Sequence, residues 1–93
     1  MTQAVRVIID GRVQGVGYRA WVETEAISRR LSGWVRNRRD GTVEAVFEGD
    51  EANVAAMIVA CRSGPRMARV EHVDVTALET EDVPDGFRTL PTR

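Results

Sequence analysis

The feature that most restricts how this chain folds is a change of hydrophobic rhythm within its first thirty residues. Val5, Val7 and Ile9 alternate with Arg6 and Asp10, the period-two pattern of a strand with one apolar face. Tyr18, Trp21, Val22, Ala26 and Ile27 instead recur at helical spacing, with Glu23 and Glu25 between them. Between the two patterns lies "GRVQGVGYR", Gly11 to Arg19, a glycine-rich connection. The sequence therefore predicts a strand of about six residues, a bare loop and an amphipathic helix over 18–31.

The rest of the chain repeats the alternation of elements. "GWVRN" and "TVEAVFE" are short strand patterns separated by "RRDG", whose Asp-Gly marks a tight turn, so they predict a hairpin. "GDEANVAAMIVACRSGP" predicts a second helix, with Asp50 as N-cap, Glu51 in the first turn and Gly64-Pro65 as the stop. "RVEHVDVTAL" is rich in β-branched residues and predicts a fourth strand. "FRTL" is a candidate short edge strand, and Pro91 after it predicts a frayed last edge. Strand, helix, strand, strand, helix, strand folds most simply as an α+β, ferredoxin-like βαββαβ sandwich, with both helices on one face of an antiparallel sheet. At 93 residues the chain is expected to form a single domain, residues 1–93.

Composition narrows the function classes. The formal net charge is −1, so no global field favours nucleic acid or an anionic membrane. All 13 basic residues are arginine, a bias more in keeping with genome base composition than with thirteen separate needs for a guanidinium. Arg36, Arg38 and Arg39 accordingly read as a solvated hairpin rather than as an attractor of substrate. The N-terminal segment has no secretory-signal pattern, no apolar run approaches the ~20 residues of a membrane span, and the single Cys61 cannot form an internal disulfide. These features predict a cytoplasmic monomer with no membrane partner.

Several chemical signatures fail in turn. "GVGYRA" matches the dinucleotide fingerprint G-x-G-x-x-A, but the strand that should end in a carboxylate offers Asn37. No Gly-Lys-Ser/Thr follows the glycines, which excludes a Walker loop. One cysteine and one histidine cannot build a closed zinc site, and no calcium-loop spacing occurs, so neither metal nor cofactor is expected. His72 alternates with Val73 and is expected to face solvent. RNA-binding domains with this order of elements read bases with aromatic residues on central strands; "TVEAVFE" offers one phenylalanine and two glutamates, so no nucleic-acid partner is expected.

The glycine loop remains. Consecutive backbone N–H groups in such a loop converge on one point, the following helix adds the partial positive charge of its N-terminus, and Arg19 can add a bidentate fork. A tetrahedral oxyanion fits that arrangement best. A tight turn with a surface arginine fits the loop alone equally well.

"GRVQGVGYR" followed after one helix by "GWVRNRRDGTVE" resembles the two-part signature of the acylphosphatases, small enzymes that hydrolyse acyl phosphates. The resemblance runs from Val5 to Val75 and implies the same ferredoxin-like fold. It implies that the backbone amides of Gln14, Gly15, Val16, Gly17, Tyr18 and Arg19 hold the phosphoryl group. It further implies that the Arg19 side chain polarises that group, that the Asn37 carboxamide positions the attacking water, and that Thr42 supports the site without touching substrate. Inorganic phosphate would then be both product and competitor. The alternative is a module that binds phosphate or carbamoyl phosphate without serving mainly as a hydrolase, as acylphosphatase-like domains do inside larger maturation enzymes. Two departures stand out: Arg29 and Arg30 occupy the end of the first helix where the family has an apolar residue and glycine, so Arg30 must go left-handed or the helix must end differently, and the C-terminus lacks the family's aromatic-ended strand.

Overall fold

The computed structural model describes the backbone of residues 1–93 and every side chain except that of Glu81. Its elements are β1 (Thr2–Arg12), α1 (Tyr18–Ser28), β2 (Ser32–Asn37), β3 (Val43–Asp50), α2 (Glu51–Ser63), β4 (Arg69–Leu78), a short 3-10 turn (Thr80–Asp82) and β5 (Phe87–Thr89). The strands form one sheet in the order β4-β1-β3-β2-β5. The four long strands pair antiparallel, as the order of elements predicts. The fifth does not: β5 runs parallel to β2, with Gly33, Trp34 and Val35 opposite Phe87, Arg88 and Thr89, so the sheet is mixed.

The apolar face of β1 sets the core. Val5, Val7 and Ile9 are buried with Val35, Phe47, Val22, Ala26, Val54 and Met57 in one cluster between the sheet and the two helices. Burying side chains of this size contributes ~1.5–3 kcal/mol each. Trp21 is half-buried against this cluster and Ile27 is 57% exposed, so α1 buries a narrower stripe than its periodicity suggests: Tyr18, Val22 and Ala26. Phe87 stacks on Phe47, ring centroids 5.7 Å apart, which anchors the short β5 at the edge.

Helix ends follow local chemistry. Ala52 donates its backbone N–H to the Asp50 carboxylate at 3.3 Å, the predicted N-cap of α2. Helix α1 stops at Ser28, three residues short of the predicted end. Leu31 N–H donates to Ala26 O (2.9 Å) and Arg30 N–H to Ile27 O (3.0 Å), the paired bonds of a Schellman cap, with Arg30 left-handed at φ 58°. Arg30 thus occupies the position where glycine is at least cost.

The C-terminal edge corrects an expectation. Pro91 does not fray it, because the bonds to β2 come from Leu90 N–H to Val35 O (2.9 Å) and Arg93 N–H to Asn37 O (3.0 Å), and Pro91 falls where no donor is required. Arg39 N–H closes the run on Arg93 O at 3.0 Å. Backbone bonds therefore fix Asn37 from β3 on one side and from the chain end on the other.

Candidate active site

At the end of β1 the register against β4 shifts between Asp10 and Gly11, and the chain leaves the sheet as the glycine loop. Gly15 (φ 74°) and Gly17 (φ 79°) both take left-handed conformations that side-chain-bearing residues rarely adopt. Gly17 is the N-cap of α1 and offers no side chain to its N–H groups, and the first helical bond is Trp21 N–H to Gly17 O at 3.1 Å. The N–H groups of Tyr18, Arg19 and Ala20 thus have no partner among the described residues and lie at the positive end of a helix.

The loop is fastened at two points. The Tyr18 side chain turns away from it into the core, where its hydroxyl donates to Cys61 O of α2 at 2.7 Å. Burial, with lesser contributions from the neighbouring Cys61, pushes the Tyr18 phenol above its ordinary range, so it stays a neutral donor. Gln14 is the second fastening, and sequence reasoning assigned it only a backbone role. Its side-chain Nε2 donates to Arg38 O (2.8 Å) and Thr42 O (2.9 Å), tying the loop to the hairpin turn 24 and 28 residues away.

That turn is built by residues 38–42. Gly41 N–H donates to Arg38 O (3.1 Å) and Arg38 N–H to Thr42 O (2.9 Å), with Gly41 at φ 94°, a tight turn closed by a glycine bulge. The Thr42 hydroxyl donates to Asp40 Oδ1 at 2.6 Å, and this bond holds the Asp40 carboxyl below its ordinary range. Among the described residues Thr42 therefore hydrogen-bonds to the glycine loop through its carbonyl, by way of Gln14.

A cleft of about 320 Å3 opens between the loop, the first turns of α1 and the end of β2. Gly15, Gly17, Tyr18, Arg19 and Asn37 line it together, so residues far apart in sequence share one cavity. Gln14 and Val16 do not line it, Val16 packing instead against the core. Glu23 and Thr89, which the sequence did not single out, form its rim, joined by a Thr89 Oγ1 to Glu23 Oε2 bond of 3.2 Å. Arg19 enters no ion pair among the described residues, whereas Arg6, Arg29, Arg36 and Arg38 all do.

Asn37 is the unusual residue. It is 9% exposed, and its side-chain Oδ1 is buried without a hydrogen-bond partner among the described residues. A buried amide oxygen left unsatisfied costs ~1–3 kcal/mol, a cost that a bound O–H or N–H donor relieves. No group of three or more His, Cys, Asp or Glu able to hold a metal ion occurs among the described residues. His72 is exposed beside Asp74 at 3.1 Å, on β4 away from the cleft. The neighbours of Asn37 differ from expectation: Arg36 is only 17% exposed, and Arg36 and Arg38 both pair with the buried Glu44 on the opposite face of the sheet instead of forming a solvated hairpin.

Comparison with known proteins bears on family and fold. A family model described as acylphosphatase matches residues 5–89. A protein named acylphosphatase from Azorhizobium caulinodans is 55% identical, with 99% of each chain covered. The crystal structure of acylphosphatase from Bacillus subtilis superposes with a TM-score of 0.91 at 39% identity, covering 97% of this chain and 99% of that one. Full-length HypF, solved in a phosphate- and nucleotide-bound form, gives a TM-score of 0.89 at 28% identity over 99% of this chain but only 12% of its own length.

Proposed function

We propose that Arg19, Asn37 and the glycine-loop amides carry the chemistry of a chain that belongs to the acylphosphatase family and hydrolyses acyl phosphates to a carboxylate and inorganic phosphate. The observation that carries these roles is the buried, unpartnered Oδ1 of Asn37 in the same cleft as an unpaired arginine and a helix N-terminus.

Each role follows from what the bond being broken requires. An acyl phosphate is a mixed anhydride whose leaving carboxylate has a conjugate acid of pKa near ~4, so it departs as the anion without a general acid. The cleft indeed offers no histidine for that task. The N–H groups of the cleft-lining loop residues Gly15, Gly17, Tyr18 and Arg19, and the guanidinium of Arg19, hold the equatorial phosphoryl oxygens and neutralise the charge they gather in the transition state. The Asn37 Oδ1 accepts a hydrogen bond from water and aims its lone pair at phosphorus, in line with the leaving oxygen. Arginine stays protonated at all working pH, so the water's proton passes late in the reaction to a phosphoryl oxygen of the substrate. Gln14, through its bonds to Arg38 O and Thr42 O, keeps the loop at a fixed distance from the hairpin that presents Asn37.

The same reading takes residues 1–93 as one working domain, acting as a cytoplasmic monomer on a small acyl phosphate with neither nucleic acid nor cofactor. No helix of the described residues is long and apolar enough to cross a membrane. The likeness to part of HypF keeps a second reading in play, a module that binds a phosphorylated ligand without turnover. Phosphate binding at Arg19 is common to both. Charged hydrogen bonds contribute ~1.5–3 kcal/mol each, so Arg19→Gln is expected to lose both turnover and the protection that phosphate gives wild type against thermal unfolding. Equal protection of Arg19→Gln and wild type would remove Arg19 from the site.

A further inference from the structure

The two helices cover one face of the sheet, and a concavity of about 510 Å3 lies on the other. At its floor is Glu44, whose side chain is 4% exposed. A carboxylate so deeply buried needs partners, and it has three. Arg36 approaches Oε1 with both Nε and Nη2 at 2.8 Å, Arg6 Nε lies 2.9 Å from Oε2, and Arg38 Nη1 lies 3.5 Å from Oε1. The register explains the gathering: Arg36 sits opposite Glu44 across the β2–β3 pair, and Arg6 opposite Val46, one step along the same face.

One carboxylate cannot neutralise three guanidinium groups. Arg93 lines the same concavity with Asp82 at its wall, and Asp40 lies 3.7 Å from Arg38 Nε, so among the described residues four guanidinium groups meet three carboxylates. Donors also remain, because each guanidinium carries five N–H groups, Glu44 engages Arg6 and Arg38 through one nitrogen each, and Asp40 takes only the Nε of Arg38 besides, at 3.7 Å. Arg36 is held in place on its other side by the ring of Trp34, 4.5 Å from centroid to Cζ. The carboxylate thus acts as an organiser that draws like charges together and leaves their outer N–H forks aimed into an open cavity.

We infer that this face carries a second anion site, for the phosphate chain of an oligophosphate or a nucleotide, held by Arg6, Arg36, Arg38 and Arg93 around Glu44. A chain of two or three phosphates spreads its charge over several oxygens and so meets guanidinium groups arriving from β1, β2 and the chain end; a single phosphate reaches fewer of them. Residues 36 and 38 line this face while the cleft holds residue 37, so the two anion sites lie on opposite sides of one strand.

The test uses the Arg19→Gln chain, in which the cleft no longer competes for anions, and inorganic tripolyphosphate as the probe. Calorimetry should give one equivalent bound, and the Trp34 indole N–H should shift saturably in an NMR titration. Adding Arg6→Gln should weaken binding by about tenfold or more, the loss of a charge-assisted hydrogen bond. Arg93→Gln, whose side chain makes no ion pair with Glu44 among the described residues, should weaken it as well and guards against mere unfolding of the Arg6 variant. ATP binding more tightly than tripolyphosphate would assign the site to nucleotides, and the reverse order to free oligophosphate. Absence of saturable binding to Arg19→Gln, or an affinity that neither open-face substitution changes, would overturn the inference.

Discussion

Gln14 offers the sharpest perturbation of the architecture that holds the cleft together. Its carboxamide donates two part-buried hydrogen bonds, of 2.8 and 2.9 Å, to Arg38 O and Thr42 O. Neither carbonyl is orphaned when these are lost, since Gly41 N–H also reaches Arg38 O and Arg38 N–H also reaches Thr42 O. Gln14→Ala therefore forfeits only the net value of two neutral bonds, about 1 kcal/mol each and about 2 kcal/mol together. For a domain of this size that lowers Tm by about 10 °C. The kinetic effect is separate and larger in relative terms, because the loop proposed to hold phosphate is no longer tied to the hairpin that presents Asn37, and a misplacement of ~1 Å costs ~10²-fold in rate. Gln14→Glu should be worse than Ala in both respects, for it points a carboxylate at two carbonyl oxygens. The assay is calorimetric melting together with steady-state hydrolysis of an acyl phosphate. A Gln14→Ala chain that melts with wild type and turns over at the wild-type rate would refute the tether.

Arg30 is left-handed at the Schellman cap of α1, a conformation that costs a side-chain-bearing residue about 1–2 kcal/mol, part of which glycine gives back through its looser unfolded chain. Arg30→Gly should therefore stabilise by about 0.5–1 kcal/mol and raise Tm by about 3–5 °C without altering turnover, whereas Arg30→Ala should not; thermal melts of the pair decide it. Burial pushes the Cys61 thiol from its ordinary 9.0 up to about 12. The unfolded chain then releases this proton while the fold still holds it, so stability falls as pH rises from about 9 towards 12, and Tyr18, shifted in the same direction, adds to the loss. Melts across that range should show a shallower decline for Cys61→Ala than for wild type, and iodoacetamide at about pH 8 should leave the native thiol unmodified.

How much of this was legible in the sequence depended on whether a residue's partner was local. The alternation of Val5, Val7 and Ile9 and the helical spacing of Tyr18, Val22 and Ala26 report a face, and each pattern found its face in the core. Gln14 was half-read, since its side chain bonds to backbone carbonyls, which every residue possesses and no motif can mark. Glu23 and Thr89 were missed for a related reason: the cleft rim depends on where β5 docks, and a three-residue strand running parallel to β2 carries no directional signal of its own. Of the hairpin arginines Arg39 is exposed as expected, but Arg36 and Arg38 were misjudged. A biased composition hid the fact that Arg6, Arg36 and Arg38 converge on one buried glutamate, which only the register of β1, β3 and β2 reveals.

The central claim is that one cleft divides its labour, with Arg19 and the loop amides holding the phosphoryl group and Asn37 holding the water. Metal-free hydrolysis of benzoyl phosphate by Asn37→Ala, with inorganic phosphate as competitor, tests it most directly. The account predicts turnover reduced by about 10²-fold or more, as for loss of one preorganised hydrogen-bonding group, with the inhibition constant for phosphate close to that of wild type. Turnover preserved in Asn37→Ala, or phosphate affinity lost in step with it, would contradict that division.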